Sequence, residues 1–312
     1  MSQFKVLVTC PPMIGMIDSF KEKAKNLGIE LNPAKLKQTL SEEELIQLLP
    51  VFDGWIIGDD PATKKVFEAG RAGLLKAAVK WGIGTDNVDF NACKALDIPI
   101  ANTPGMFGSE VADIALGYVI GLARYTFSID KEIKKGNWPK PSGISLKGKK
   151  VAIIGYGDIG KNTVRRLLAC QMDVFVYDPF AEKSSIENRV SLQEWPLKLD
   201  ECDFIVVNCS LSKSSYHLLN TDSFKKMKKG VRIINVGRGP IIDENALIEA
   251  LDKKIVHSVA LDVFENEPLP LNSPLRNYEN CIFGSHNSSN TIEGVFRTSF
   301  KTIDIMSEFL KS

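Results

Sequence analysis

Histidine is scarce in this chain, with three in 312 residues, so each imidazole has to be accounted for individually. The six cysteines (Cys10, Cys93, Cys170, Cys202, Cys209, Cys281) are scattered, with no C-x-x-C pair. That excludes the common zinc-ligand spacings and the dithiol redox motif. Several lie inside apolar runs, where a thiol packs as a small hydrophobe. Neither sign of charge is in excess: 39 Lys and Arg face 38 Asp and Glu, for a net charge of +1. With no dense basic cluster, there is no global attraction to nucleic acid or to an anionic membrane. The run "KKMKKG" (Lys225 to Gly230) reads as the solvated end of a helix, where cations meet the negative end of the dipole. No apolar run approaches the length of a membrane span. The N-terminal "MSQFKVLVTC" reads as a first strand and not as a signal peptide. A soluble protein of the reducing cytoplasm, without a metal centre, is expected.

What is present is a regular alternation of strand-like and helix-like segments, over a length that suggests about two domains. This is the pattern of an α/β protein with mostly parallel sheets. In the first third, "FKVLVT", "GWIIG", "AAVKW" and "IPIA" are the strand candidates, and "MIDSFKEKAKNLG" is a helix closed by Gly28. Gly108 to Gly136 is a long apolar helical stretch in two segments, followed by a Pro, Gly and Lys-rich connector, "NWPKPSGISLKGKK". From Lys150 six strands follow in series: "KVAIIG", "MDVFVYD", "DFIVVN", "VRIINVG", "HSVALDVF" and "NCIFG". Six are what a complete dinucleotide-binding sheet requires. The last segment, "GVFRTSFKTIDIMSEFL", is an amphipathic helix with Val295, Phe296, Phe300, Ile303 and Ile305 among its apolar positions.

The most informative stretch is "KVAIIGYGDIGKNTVRRLLACQMDVFVYDP". Gly155, Gly157 and Gly160 form G-x-G-x-x-G directly after a strand and at the start of a helix. The first glycine permits the tight turn, the second lets a pyrophosphate approach the backbone, and the third lets helix pack on strand. Backbone NH groups at the helix N-terminus then face the ligand's negative charge. Asp178 closes the next strand, 18 residues beyond Gly160, where a carboxylate accepts from a ribose and repels a 2′-phosphate. The expected cofactor is therefore NAD and not NADP. Asp158 puts a carboxylate near the pyrophosphate and is expected to point it into solvent.

Three more stretches end at strand termini. "IINVGRGPIIDENAL" places Arg238 between two glycines, where a guanidinium can grip a carboxylate in bidentate fashion. By itself Arg238 reads equally well as a surface loop residue. "ALDVFENEPLP" ends a strand at Asp262 and then carries Glu265 and Glu267, acids that alone would be ordinary solvated loop residues. "NCIFGSHNSSN" places His286 after another strand. Ligands of open α/β sheets bind beyond the carboxyl ends of the strands, so an arginine, an acid and a histidine at three such ends can converge. That set suits hydride transfer: a cation orients a substrate carboxylate while an acid-coupled imidazole moves the hydroxyl proton.

With these residues in order, the chain resembles the D-isomer-specific 2-hydroxyacid dehydrogenases, including phosphoglycerate dehydrogenases, glycerate dehydrogenases and hydroxypyruvate reductases. The resemblance runs through "KWGIGTDNVDFNACKALDIPIANTPG", "GYGDIG" with Asp178, "NVGRGPIIDENAL", "ALDVFENEP" and the final histidine. It implies two doubly wound parallel-sheet lobes, with a Rossmann NAD-binding domain (104–286) inserted into a flavodoxin-like substrate domain (1–103 plus 287–312). It implies that Arg238 binds and polarises the 2-oxo acid, that Glu267 pairs with His286, and that His286 donates the proton. Backbone amides at Ile83 and Gly84 would cradle the substrate carboxylate. Cofactor contacts would fall on Gly155, Gly157, Asp158, Ile159, Gly160, Asp178, Cys209, Val236, Gly237 and Asp262. A homodimer is implied, with Trp138 packing in the arm formed by the first helices of the NAD lobe.

This chain departs from the family at several points. Ser210 stands where a proline is frequent, Asp113 where glutamate is, and Asn287, Ser288 and Ser289 follow the histidine where an apolar residue and glycines are usual. Gly58, Asp59 and Asp60 occupy a first-domain loop in which phosphoglycerate-type members commonly carry a phosphate-binding arginine. Two carboxylates there would repel a phosphate unless another cation compensates. An end at Ser312 would leave out the small regulatory domain that some phosphoglycerate dehydrogenases append. His217 is expected to line a cofactor-lobe loop and His257 to begin a strand, neither with an acid partner by motif. The leading expectation is an NAD-dependent dehydrogenase of a D-2-hydroxy acid such as phosphoglycerate, glycerate or a relative. The competing one is an NAD(H)-sensing, corepressor-like binding protein on the same scaffold.

Overall fold

The computed structural model describes residues 4–36, 38–182 and 189–312; the first three positions of the expected first strand lie outside them. The chain divides into two compact units, Met1–Met106 with Asn290–Ser312, and Phe107–Ser289. Each junction falls three residues beyond the expected boundary.

The first unit holds β1 (Phe4–Val8), β2 (Ile29–Pro33), β3 (Gly54–Ile57), β4 (Ala77–Lys80) and β5 (Ile100–Asn102). All pairs are parallel, in the order β2-β1-β3-β4-β5, which is flavodoxin-like winding. β3 and β4 are buried along their whole length, so they read as continuous apolar runs. β2 is absent from the strand candidates. Its sequence, IELNP, is half polar and sits at the sheet edge, where Pro33 loses no ladder bond. The helix Asp18–Asn26 ends where Gly28 adopts φ +80°, a left-handed stop that glycine takes without steric cost.

The C-terminal helix, Ile292–Lys311, is capped by the Thr291 side chain and returns to this unit. Val295 and Ile303 are buried, and Phe296 and Phe300 close edge-on around Phe20 at 5.4 and 5.5 Å. The buried face also contains Thr298, Ser299 and Thr302, which the apolar pattern does not announce. Two of these are satisfied locally: Thr302 donates to the Thr298 carbonyl at 2.8 Å, and Ser299 accepts from the Trp81 indole at 3.2 Å.

The second unit holds β6 (Lys150–Ile154), β7 (Asp173–Tyr177), β8 (Val190–Leu192), β9 (Phe204–Val207), β10 (Val231–Asn235), β11 (Val256–Leu261) and β12 (Ile282–Phe283). All pairs are again parallel, in the order β12-β11-β10-β9-β6-β7-β8. Numbered from β6, this is the 3-2-1-4-5-6 winding of a Rossmann sheet with one more strand at the far edge. The sheet has seven strands where six were expected. The missed one, β8, is three half-buried residues at an edge, too short to show a period.

The apolar stretch that begins at Gly108 forms helices Gly108–Arg124 and Thr126–Lys134, broken where Tyr125 turns left-handed at φ +59°. The helix Thr221–Lys225 stops as the "KKMKKG" run begins, and Met227 of that run turns into the core. Because every strand is parallel, the loops after β6, β9, β10, β11 and β12 lie along one edge of the sheet.

Candidate active site

The turn after β6 has the geometry that its glycines suggest. Gly155 takes φ +94°, and a Cβ there would lie 2.6 Å from the backbone nitrogen of Cys209. A Cβ on Gly160 would lie 2.1 Å from the Gly155 carbonyl, so helix and turn touch directly. A Cβ on Gly157 would meet nothing within 4 Å, leaving open room in front of the helix Asp158–Ala169. Two glycines are thus needed for packing and the third borders open space, which fits a pyrophosphate at the helix N-terminus.

Asp178 accepts from the Tyr156 amide at 2.6 Å and the Phe180 amide at 2.8 Å. Its carboxylate is thereby fixed beside the turn, where it can also accept from a ribose. Asp158 is exposed, yet its carboxylate does not simply extend into water. It lies against Gly108, where a Cβ would come within 2.3 Å of it, and it accepts from Asn162 at 3.1 Å. The missing side chain at Gly108 gives the carboxylate somewhere to turn other than the phosphate site.

The β9 end is squeezed between two glycines. Cys209 packs against Gly155 on one side, and a Cβ on Gly237 would lie 2.8 Å from its carbonyl. Burial pushes the Cys209 thiol up to about 11, so it remains neutral at physiological pH. Next to it, the side-chain amide of Asn208 is buried with neither Oδ1 nor Nδ2 partnered within the protein. Buried amides of this kind normally have a partner, so this one fits a bound ligand or water atom. Asn208 was missed from the sequence because nothing about an asparagine after a strand singles it out. Val236 is buried at the end of β10.

Arg238 follows, on a turn tied by Asn235, whose side chain accepts from the Gly237 amide at 3.0 Å and donates to the Arg238 carbonyl at 2.9 Å. Gly239 explains the second glycine of the motif. A Cβ there would lie 1.9 Å from the carbonyl carbon of Phe264, so the arginine turn and the loop after β11 are in backbone contact. That loop carries Glu267. One of its oxygens accepts from the Phe264 amide at 2.9 Å, and the other lies 2.7 Å from Nδ1 of His286. The structure therefore brings Glu267 and His286 together and sets the Arg238 turn against their loop. Both side chains of the pair are only about one fifth exposed (23 and 21%), so the ion pair is weakly screened when the imidazole is protonated. His286 has φ +55°, a left-handed backbone that costs a non-glycine residue roughly 1–2 kcal/mol.

Asp262, the end of this β11 segment, is 1% exposed. Its carboxylate accepts from the Asn287 amide at 3.2 Å, the Ser288 amide at 2.9 Å and the Ser288 hydroxyl at 2.6 Å.

The other histidines divide. His257 is 2.9 Å from the Ser258 hydroxyl and 3.3 Å from that of Tyr125, and burial lowers its pKa. His217 corrects the expectation that it has no acid partner. Its Nε2 lies 2.6 Å from Glu265, its Nδ1 lies 3.9 Å from Asp243, and its ring stacks on Tyr216 at 4.0 Å. The partner is 48 residues away in sequence, which is why no local motif shows it.

In the first unit, Ile83 is exposed and Gly84 half-buried in the loop beyond β4. Asn102 donates to the Ile83 carbonyl at 3.1 Å and Thr103 accepts from the Gly82 amide at 2.7 Å, so this loop is braced by β5. The "GDD" loop revises the picture of two repelling carboxylates. Asp60 is fully buried and accepts from the amides of Leu40 (2.8 Å) and Gly58 (3.2 Å). Asp59 pairs at 3.1 Å with Lys80, which is itself buried and also donates to the Gly58 carbonyl. A Cβ on Gly58 would lie 2.5 Å from the Thr9 carbonyl, so no side chain fits there without moving backbone. Among the described residues no group of His, Cys, Asp or Glu could hold a metal ion.

The glycine turn, the acid after the next strand and the winding of the sheet put the second unit in the class of Rossmann dinucleotide-binding domains. Residues 116–288 match the model of the "D-isomer specific 2-hydroxyacid dehydrogenase, NAD binding domain", and the chain belongs to that family. The cofactor of this domain is NAD. The chain is 33% identical to D-3-phosphoglycerate dehydrogenase of Archaeoglobus fulgidus over 93% of its own length, but spans only 54% of that relative. It is 32% identical to hydroxypyruvate reductase of Thermotoga maritima, covering 88% of this chain and 91% of the relative. The apo structure of D-lactate dehydrogenase from Escherichia coli superimposes with a TM-score of 0.85 at 27% identity, covering 98% of this chain and 97% of the other.

Proposed function

We propose that the protein interconverts a D-2-hydroxy acid and its 2-oxo acid, and that Arg238, Glu267 and His286 carry the reaction. The observation that carries this reading is the 2.7 Å Glu267–His286 couple, with the loop that carries Glu267 in backbone contact with the Arg238 turn. NAD, when bound, supplies the hydride acceptor, and its reduced form the donor. Glu267 accepts from Nδ1 of His286, which fixes the ring and leaves Nε2 as the atom that exchanges the proton with the substrate oxygen. Arg238 orients the substrate carboxylate and polarises the carbonyl. Cofactor contacts are assigned to Gly155, Gly157, Asp158, Ile159, Gly160, Asp178, Cys209, Val236 and Gly237.

Relatives named for phosphoglycerate and for hydroxypyruvate leave the substrate between those classes. The first-unit loop argues for an unphosphorylated acid. Gly58 has no room for a phosphate-binding side chain, and the buried cation beside it, Lys80, is engaged by Asp59 and the Gly58 carbonyl. A cytoplasmic homodimer completes the reading. Phe127, Ile133 and Trp138 expose apolar surface on and after the helix Thr126–Lys134, which a second copy would cover.

The test is a panel of 2-oxo acids (glyoxylate, hydroxypyruvate, 3-phosphohydroxypyruvate) reduced with NADH or NADPH, followed by nicotinamide absorbance. Turnover is expected with NADH on the unphosphorylated acids. Tight NADH binding without turnover on any acid would overturn the enzyme reading in favour of a nucleotide sensor.

A further inference from the structure

The carboxylate of Asp262 was expected, from the resemblance, to contact the cofactor. The structure surrounds it with donors from its own chain. Asn287 and Ser288 give it their amides, and the Ser288 hydroxyl gives it the shortest bond of the set, 2.6 Å. The Tyr118 hydroxyl, on the helix Gly108–Arg124, lies nearby. Gly284 marks how closely these groups meet. A Cβ there would lie 2.2 Å from the Asp262 carboxylate and 2.5 Å from the Tyr118 oxygen. The Asp262 carbonyl, meanwhile, accepts from the His286 amide at 2.7 Å. Asp262 and Ser288 are 1 and 6% exposed, so water does not compete for these bonds.

Together these bonds hold both sides of His286, the one residue of the loop with a left-handed backbone. Such a backbone persists where its surroundings over-determine it. Three donors from two successive residues address this one carboxylate. We infer that Ser288 is a positioning residue for His286, acting through Asp262. The serine two residues after the histidine, where relatives usually have a glycine, then has a specific task. Its hydroxyl and amide both clamp the same carboxylate oxygen, so the imidazole is aimed before any ligand arrives. The role in proton transfer rests on the function proposed above; the clamp itself does not.

The test uses the full chain with Ser288→Gly and with Ser288→Ala, which removes the hydroxyl alone. Amide hydrogen exchange of the segment 284–290, read by mass spectrometry without ligand, is expected to quicken about tenfold or more in both variants. On the best 2-oxo acid of the panel, kcat is expected to fall about tenfold, because a small misplacement of a reacting group is costly. The solvent deuterium isotope effect on kcat should rise, and the NADH Kd should stay within about twofold. Unchanged exchange in both variants overturns the clamp. Faster exchange with unchanged kcat and isotope effect overturns the positioning role. A tenfold weaker NADH Kd with unchanged kcat overturns the positioning role in favour of one in holding the cofactor. If the wild type turns over no acid, the functional reading fails on that result, while exchange still decides the clamp.

Discussion

Two histidine–glutamate couples hang from one short loop: Glu265 with His217 and Glu267 with His286, at 2.6 and 2.7 Å. By distance they are equivalent, and their burial is alike. What separates them is what each histidine is attached to. His286 stands just beyond β12, in a loop fastened to Asp262 at the carboxyl end of the sheet. His217 sits in the connection between β9 and β10, stacked on Tyr216, with its amide donating to the Pro240 carbonyl at 2.9 Å. One couple stands at the carboxyl end of the sheet, where the proposed reaction would use an imidazole, and the other staples three loops together. On that proposal, place in the sheet and not distance to a carboxylate singles out the proton donor.

Removing each imidazole in turn separates the two couples most strongly. His286→Ala is expected to lower kcat by about 10²–10⁴-fold, while NADH affinity, read by fluorescence titration, stays near wild type. His217→Ala should change kcat by no more than about threefold, against the typical cost of losing an acid–base group. Equal losses in the two variants would erase the distinction between them. The reverse contrast is expected in stability: His217→Ala should lose about 1 kcal/mol in urea unfolding, the typical net worth of one such bond. A variant as stable as wild type would show that the staple is dispensable.

A smaller effect concerns the acid between the couples. Glu244 accepts from the Glu265 amide at 2.8 Å, and burial, with Glu265 and Glu267 nearby, raises its pKa. Its carboxyl holds its proton longer in the folded state than in the unfolded one, so unfolding releases that proton as pH rises through this window. The contribution of Glu244 to stability is therefore complete below its unfolded pKa and declines above it. Glu244→Gln, which can still accept from the Glu265 amide, should flatten that decline and gain stability at neutral pH relative to pH 4. Parallel stability–pH curves for variant and wild type would remove Glu244 from the network.

Much of the second unit was legible because it is made of local patterns. The G-x-G-x-x-G turn needs no partner outside its own strand and helix, and β6, β9 and β10 are apolar because both faces of a parallel sheet are covered. The edge strands β2 and β8 were not legible, since an edge needs neither length nor apolar character. Asp60 was misread for a related reason. A carboxylate in a loop sequence looks solvated, and only the amides of Leu40 and Gly58 around it show that it turns inward.

By itself the sequence determined two α/β halves, the nucleotide turn, and the order of Arg238, Glu267 and His286 at strand ends. Those features follow from short-range periodicity and from where parallel strands must end. Only the tertiary structure decided that Glu265 takes His217 while Glu267 takes His286, that Lys80 answers Asp59, and that Ser288 clamps Asp262. Each of these pairings joins residues far apart in the chain, and a side chain's partner across such a distance is set by packing, which no local pattern encodes.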